Sequence, residues 1–357
     1  MAYLTLNKKK LEENYLFLKK MFEEKEVSWG VVSKVFCGNR LFLTELIKLG
    51  VTEIHDSRIS NLAMVKSIGP EIQTVYIKPV AKQNIGKLVK FADVSLNSEL
   101  KTIEWISEEA VLQEKKHKII IMVETGDLRE GVMGDRLLDF YDRVFELPNI
   151  EIIGLGTNLN CLNGIMPSAD KLIQLCLYKQ IIELKFNKKI PWVSAGTSVT
   201  IPLMLNHQLP IGVNHFRIGE TLYFGMDLVE EKVIEGMHGD VFELHTEIIE
   251  MQEKPLVPSG VLAPTPQGEV KEIDESLLGK SSFRAIVDVG VLDVDSKYLI
   301  PNDESVELLG ASSDMIIINL GENPKNYKVG DVLSFNLKYM GALSLMNSDY
   351  IDKKLVG

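Results

Sequence analysis

The chain has 357 residues, of which 45% are hydrophobic and 25% charged, and its formal net charge is −11 at pH 7. This composition is typical of a soluble globular protein of about two domains, and the acidic charge argues against binding to nucleic acid through phosphate contacts. No apolar run approaches the roughly 20 residues that cross a bilayer. Cys37, Cys161 and Cys176 are too widely spaced for a disulfide framework or a structural zinc site. We therefore expect a cytoplasmic enzyme without a metal.

Short runs rich in β-branched residues alternate with longer stretches of helical periodicity through the first two-thirds of the chain. Helices are predicted over residues 40–49, 57–68, 100–109 and 169–184. Strands are predicted over residues 29–34, 53–56, 74–77, 93–96, 118–124, 150–156, 192–195 and 214–218. This alternation predicts a (β/α)8 barrel. The alternative is an open doubly wound sheet, which the lack of a G-x-G-x-x-G motif after the first strand weakens.

The pattern changes after about Leu228. Helical periodicity fades, glycines and prolines become frequent, and short β-rich runs take over. These runs lie at residues 242–251, 283–289, 315–319 and 332–337. The sequence therefore predicts two domains, a barrel over residues 1–228 and a mostly β domain over residues 229–357.

Lys34 stands at the end of the first predicted barrel strand. Catalytic residues of such barrels lie where the strands end at their carboxyl side. An apolar strand can deliver a lysine amine to a partly desolvated pocket, where it suits covalent bonding to a carbonyl group. A surface lysine is the alternative.

Polar residues follow the later barrel strands at equivalent positions. Arg129 offers a planar fork for a carboxylate or phenolate oxygen, and Asn158 could bond a ligand or cap a helix. The small residues of 195–198 (AGTS) can present backbone N–H groups to a phosphate. Arg217, followed by Ile218 and Gly219, lies beside the usual phosphate site of barrels. Pyridoxal 5'-phosphate, a phosphorylated aldehyde, fits this set of groups.

These segments resemble the fold-type III pyridoxal-phosphate amino-acid racemases, the family of alanine racemase. The family combines a (β/α)8 barrel with a C-terminal β domain in head-to-tail homodimers that share active sites. Residues 30–39 (GVVSKVFCGN) are similar to the segment of the cofactor lysine, which implies that Lys34 forms the Schiff base and removes the substrate proton. Residues 127–131 (DLREG) imply that Arg129 contacts the cofactor's phenolic oxygen and the substrate.

The phosphate and ring contacts follow from the same resemblance. AGTS matches the phosphate loop, and FRIG (residues 216–219) matches the segment whose arginine faces the pyridine nitrogen. They imply a cofactor site that includes Asn158, Thr197, Ser198, Arg217, Ile218 and Gly219.

The chain departs from alanine racemase at three positions. Asn158 stands where the family has a histidine that supports the ring, and Val291 stands where it has the catalytic tyrosine. Residues 342–346 (ALSLM) contain no phosphate-binding tyrosine. The second acid/base is therefore open, with Asp293 of the partner subunit and Cys161 as candidates.

The motifs GDLREG, GTNLNC and HFRIGE resemble the ornithine racemase branch of the family. A carboxylate near the barrel mouth could pair with the second ammonium group of such a substrate, and Asp127 and Glu220 are predicted to bind it. A racemase of alanine, lysine or serine is the alternative. Two further alternatives have the same barrel fold, a decarboxylase and a pyridoxal-phosphate carrier, although the carriers lack a second domain.

Overall fold

The computed structural model describes residues 2–264 and 273–357. They form two compact units, one made of Asn7–Val241 and the other of the residues up to Leu6 together with those from Phe242 to Val356. The division therefore falls later in the chain than the predicted 228, because residues up to Val241 pack on the barrel's first helix. There the Asn14 amide donates to the His238 carbonyl at 2.9 Å and accepts from the His238 N–H at 2.7 Å.

The first unit is a closed barrel of eight parallel strands, which confirms the predicted (β/α)8 fold. In the barrel, each strand pairs in parallel with the next, and the last returns to the first through Val31 opposite Ile218. The eight strands are β2 (Ser28–Val32), β3 (Glu53–Asp56), β4 (Gln73–Tyr76), β5 (Val94–Asn97), β6 (His117–Met122), β7 (Ile150–Gly156), β8 (Trp192–Thr197) and β9 (His215–Ile218).

Helices connect and cover these strands. They are α1 (Lys8–Glu24), α2 (Arg40–Lys48), α3 (Ile59–Ile68), α4 (Ile85–Phe91), α5 (Leu100–Leu112), α6 (Leu137–Phe145), α7 (Ala169–Phe186), α8 (Ile201–Leu205) and α9 (Glu220–Phe224). Helix α2 illustrates how they form: the Asn39 side chain caps its first turn by accepting from the Phe42 N–H at 3.1 Å. Phe42, Leu43 and Leu46 form its buried face. No helix in the described part of the chain is both long enough and apolar enough to span a membrane.

The second unit is built on an eight-stranded sheet. Its strands are β1 (Tyr3–Asn7), β12 (Phe242–Pro255), β13 (Ser281–Val287), β14 (Leu299–Pro301), β15 (Glu307–Ala311), β16 (Ile316–Asn319), β17 (Val332–Leu337) and β18 (Asp352–Val356). A short hairpin of β10 (Met226–Asp227) and β11 (Lys232–Val233) belongs to the barrel unit, and helix α10 (Tyr339–Asn347) belongs to the sheet unit. The N-terminal strand β1 pairs antiparallel with β12, with Leu4 opposite Leu244.

Gly196 allows β8 and β9 to pack closely. A Cβ atom built at Gly196 would lie 2.1 Å from Cγ of Phe216, whose ring is fully buried. We expect Gly196→Ala to lower the free energy of unfolding by about 1–3 kcal/mol, the usual cost of overpacking, as measured by urea denaturation.

Gly86→Ala in α4 is the control for this substitution. The added Cβ would meet only the end of the Glu109 side chain, at 3.3 Å, and alanine favours a helix over glycine. Its stability should equal or slightly exceed that of the wild type. Equal stabilities of Gly196→Ala and the wild type would contradict the close packing.

Candidate active site

Lys34 lies at the mouth of the barrel, just beyond β2. The strand ends at Val32, and Lys34 begins a short 3-10 turn, Lys34–Phe36. The preceding Ser33 is held in place because its hydroxyl donates to the buried Asp56 carboxylate at 2.9 Å. The Lys34 amine has no hydrogen-bond or ion-pair partner within residues 2–264 and 273–357. It is therefore available to a ligand.

Arg217 enters the barrel interior from β9 and is only 4% exposed. Its guanidinium donates to the backbone carbonyl and hydroxyl of Ser194, the latter at 2.6 Å, to the Thr157 carbonyl at 2.8 Å and to Oδ1 of Asn158 at 2.6 Å. Burial lowers the pKa of Arg217 to about 10, so it stays a cation at neutral pH. These contacts occupy both terminal nitrogens. The Nε–H has no acceptor in the part of the chain that the structure describes, and it remains free for a ligand.

Asn158 connects Arg217 to a second pair of charges. While its Oδ1 accepts from Arg217, its amide nitrogen donates to the Glu130 carboxylate. Glu130 also accepts from two guanidinium nitrogens of Arg129, one of them at 2.6 Å. Asn158 thus links the Arg217 guanidinium to the Arg129–Glu130 ion pair, because its neutral amide accepts from the first and donates to the second. The sequence predicted Arg129, Asn158 and Arg217 as site residues, and the structure joins them in one network.

Asp127 anchors the loop that follows β7. Its buried carboxylate accepts from the backbone N–H groups of Cys161, Leu162 and Asn163 at 2.9–3.0 Å. Burial acts to raise the pKa of Asp127, but these donors outweigh it and keep the pKa lowered. Asp127 therefore organises the loop, and its carboxylate is turned to backbone groups instead of being open to a substrate as the sequence predicted.

Asp127→Asn should loosen this loop. The amide nitrogen of asparagine would face backbone donors, and the charge that strengthens these bonds would be lost. We expect the Cys161–Asn163 amides to exchange their hydrogens about tenfold faster at neutral pH, measured by hydrogen exchange. Because the pKa of Asp127 is lowered, its contribution is present above the ordinary value of about 3.9 and is lost as pH falls through the lowered value. Unchanged exchange in the variant would contradict the anchoring role.

The predicted phosphate residues lie at the ends of β8 and β9. Ser198 Oγ accepts from the Thr221 N–H at 3.2 Å, and its own hydroxyl hydrogen has no acceptor among the described residues. The Thr197 oxygen is taken up locally, since it accepts from the Thr200 N–H within a capping box. Ile218 is the last residue of β9, and Gly219 is the cap of α9.

Glu220 and Asp293 lie in different units. Glu220 begins α9 and has no hydrogen-bond or ion-pair partner among the described residues. Burial raises the pKa of Glu220, and the positive charge of Lys34 opposes that rise. Asp293 belongs to the sheet unit, where it accepts from the Ser348 hydroxyl at 2.6 Å, and Val291 near it is 45% exposed.

A buried polar cluster below Arg217 was not predicted from the sequence. Glu53, His55 and His215 bring ligand-type atoms within 4.8 Å of one another in the barrel interior. Burial acts to raise the pKa of Glu53, but the two histidines outweigh it and hold the pKa well below its usual range. The available signal was the presence of charged and imidazole side chains within the predicted barrel strands β3 and β9.

Residues 6–227 match the family described as alanine racemase, N-terminal domain, and the chain belongs to that family. Over 354 residues, 99% of each chain, it is 35% identical to the ornithine racemase of Acetoanaerobium sticklandii. Over 350 residues, 98% of this chain and 97% of the relative, it is 31% identical to the lysine racemase of Thermotoga maritima.

Solved structures of the family share the fold. The biosynthetic alanine racemase from Pseudomonas aeruginosa matches with a TM-score of 0.75 at 14% identity, over 100% of this chain and 99% of that one. The alanine racemase from Bartonella henselae with covalently bound pyridoxal phosphate matches with a TM-score of 0.73 at 16% identity, over 99% of both chains. The predicted resemblance to the fold-type III racemases is thereby confirmed.

Proposed function

We propose that this protein is a pyridoxal 5'-phosphate-dependent amino-acid racemase that acts on ornithine. The observation that carries the proposal is the presence of two unused donors in the barrel unit, the Lys34 amine at its mouth and the Arg217 Nε–H in its interior. An aldehyde cofactor needs the first for covalent attachment, and a pyridine nitrogen needs a donor such as the second. The cofactor supplies the electron-withdrawing group that acidifies the substrate Cα–H.

The other predicted contacts complete this assignment. The Ser198 hydroxyl with the backbone at Ile218 and Gly219 would hold the phosphate, beside Thr197, which shapes the turn. Arg129, supported by Glu130, would bind the cofactor's phenolic oxygen and the substrate carboxylate. Asn158 would hold Arg217 against the ring.

Lys34 would remove the Cα proton on one face of the substrate, because its amine has no partner among the described residues and could act as a general base. Inversion needs a proton donor on the opposite face. We assign that donor to Asp293 of the partner subunit in a head-to-tail homodimer, because Val291 leaves no tyrosine at the family's position. The Asp293 carboxyl would hold and return one proton per turnover.

Glu220 supports a substrate with a second ammonium group. Its carboxylate is unpaired in the described part of the chain, and its charge interacts with that of Lys34, whereas both oxygens of Glu130 are already bound by protein donors. The relative named ornithine racemase supports ornithine, and the relative named lysine racemase makes lysine the second candidate.

The test is exchange of the α-proton. The protein with pyridoxal phosphate is incubated with L-ornithine, L-lysine, L-alanine and L-serine in deuterated water, and loss of Cα–H is followed by NMR and inversion by chiral chromatography. We expect fast exchange and inversion of ornithine. Inversion of lysine instead would reassign the substrate to lysine. Exchange without inversion would contradict the assignment of a proton donor on the opposite face. No exchange with any of the four amino acids would overturn the proposal.

A further inference from the structure

We propose that Ser194, His215 and Glu53 form a buried hydrogen-bond relay that orients the Arg217 guanidinium and balances its charge. The inference rests on the proposed function only in the use made of Arg217. It assigns positioning residues, which act through Arg217 and touch neither cofactor nor substrate.

The contacts form an unbroken chain through the barrel interior. Arg217 donates to the Ser194 hydroxyl at 2.6 Å, this hydroxyl lies 2.7 Å from Nδ1 of His215, and Nε2 of His215 lies 2.8 Å from Oε1 of Glu53. Ser194 and His215 are fully buried and Glu53 is 8% exposed. Direct hydrogen bonds between side chains therefore link the Arg217 guanidinium to the Glu53 carboxylate.

The direction of each hydrogen bond follows from the donors available. An arginine can only donate, so the Ser194 oxygen accepts and its single hydrogen is free to donate to Nδ1 of His215. His215 then carries its hydrogen on Nε2 and donates it to the Glu53 carboxylate. Gln73 donates to the other Glu53 oxygen at 2.6 Å. This order leaves one negative charge to balance one positive charge, as a buried ion pair requires.

His55 fits the same order. Its Nε2 lies 2.5 Å from Oε1 of Glu53, while its buried Nδ1 has no partner among the described residues. A neutral ring with the hydrogen on Nε2 satisfies both observations, because an unpaired lone pair costs less than an unpaired charged N–H. Burial, opposed by Glu53, lowers the pKa of His55 and favours this neutral form.

Stacking on Trp192 fixes the orientation of the His215 ring. Its imidazole lies parallel to the indole of Trp192, with ring centroids 4.2 Å apart and an interplanar angle of 9°.

A metal site is the competing interpretation of Glu53, His55 and His215, since all three side chains are of types that bind metals. It would require both Nε2 atoms to be unprotonated, whereas the relay requires both to carry hydrogen. The protonation state therefore separates the two.

The experiment is NMR of the protein labelled with nitrogen-15 histidine, with and without pyridoxal phosphate. We expect His215 to show a protonated Nε2 and an unprotonated, hydrogen-bonded Nδ1 near neutral pH. Ser194→Ala should move the His215 Nδ1 resonance towards that of a free ring nitrogen. A doubly protonated His215, the opposite tautomer or a bound metal would overturn the relay, whether or not the protein racemises amino acids.

Ser95→Ala is the matched control, because Ser95 is also a buried barrel serine that bonds a histidine, Nε2 of His117, at 2.8 Å. It should leave His215 unchanged. In turnover, we expect Ser194→Ala to lower kcat about tenfold with little change in KM and to raise the fraction of cofactor converted to its amine form. Identical kinetics of the two variants would show that the relay does not position Arg217.

Discussion

Lys34→Ala is expected to abolish both cofactor attachment and racemisation. The variant lacks the amine that we propose bonds the aldehyde and removes the Cα proton. Loss of a general base alone costs on the order of 10²–10⁴-fold in rate, and loss of covalent attachment adds to that. The near-visible absorbance of the bound cofactor and its trapping by borohydride should disappear as well. Absorption spectroscopy and mass spectrometry of the reduced protein measure these changes.

Lys78→Ala is the control for this variant. Lys78 also follows a barrel strand, since β4 ends at Tyr76, so the substitution removes a lysine at a comparable position. It should keep the absorbance, the trapped cofactor and the activity. Cofactor trapped in Lys34→Ala would place the attachment on another lysine and contradict the assignment.

Arg217→Glu is expected to damage both stability and reaction specificity. The new carboxylate would face the Ser194 and Thr157 carbonyls, which now accept from Arg217, and Glu53 would lose its counter-charge. Breaking a buried pair typically costs about 3–5 kcal/mol, which urea denaturation measures. With substrate present, a long-wavelength absorption band should persist, because a carboxylate favours protonation of the pyridine nitrogen where an arginine disfavours it.

Arg143→Glu controls for the reversal of charge. The Arg143 side chain is 65% exposed and contacts Glu104 at 3.5 Å, so the change in stability should stay within about 0.5 kcal/mol. An equally small change in the free energy of unfolding for Arg217→Glu would contradict the buried hydrogen-bond network around Arg217. A spectrum with substrate that matched the wild type would contradict the contact between Arg217 and the ring nitrogen.

The barrel was predictable because its strands are buried on both faces. Apolar runs such as Ile150–Gly156 stand out between helical stretches. Two predicted barrel strands have the observed bounds, Glu53–Asp56 and Ile150–Gly156, as does Val332–Leu337 in the sheet unit. The strand Tyr3–Asn7 was not predicted, because its pairing partner in β12 lies far along the chain. Helix α10 was also missed, since the helical periodicity of the surrounding sequence is weak and lies among β-rich runs.

The sequence could locate single residues relative to a strand, as for Lys34 just after β2 and Arg217 within β9. The site was not predictable where the chemistry depends on pairs that meet in space. The bridge from Asn158 to Glu130 joins two separate loops, and the cluster of Glu53 and His215 joins strands at opposite ends of the barrel sequence. The loop anchor Asp127 was assigned to the substrate because its backbone partners are invisible in a sequence.

The pairing of β1 with β12 makes the barrel an insertion within the sheet unit. The chain leaves that unit after Leu6 and returns at Phe242, and the two ends of the inserted segment meet, with the Asn7 N–H donating to the Val241 carbonyl at 2.9 Å. A cut between the predicted domains would therefore leave the sheet without its N-terminal strand. Residues 7–241 form a continuous module with adjacent ends, suited to circular permutation, whereas the sheet unit would need its first residues joined to Phe242 by a short linker.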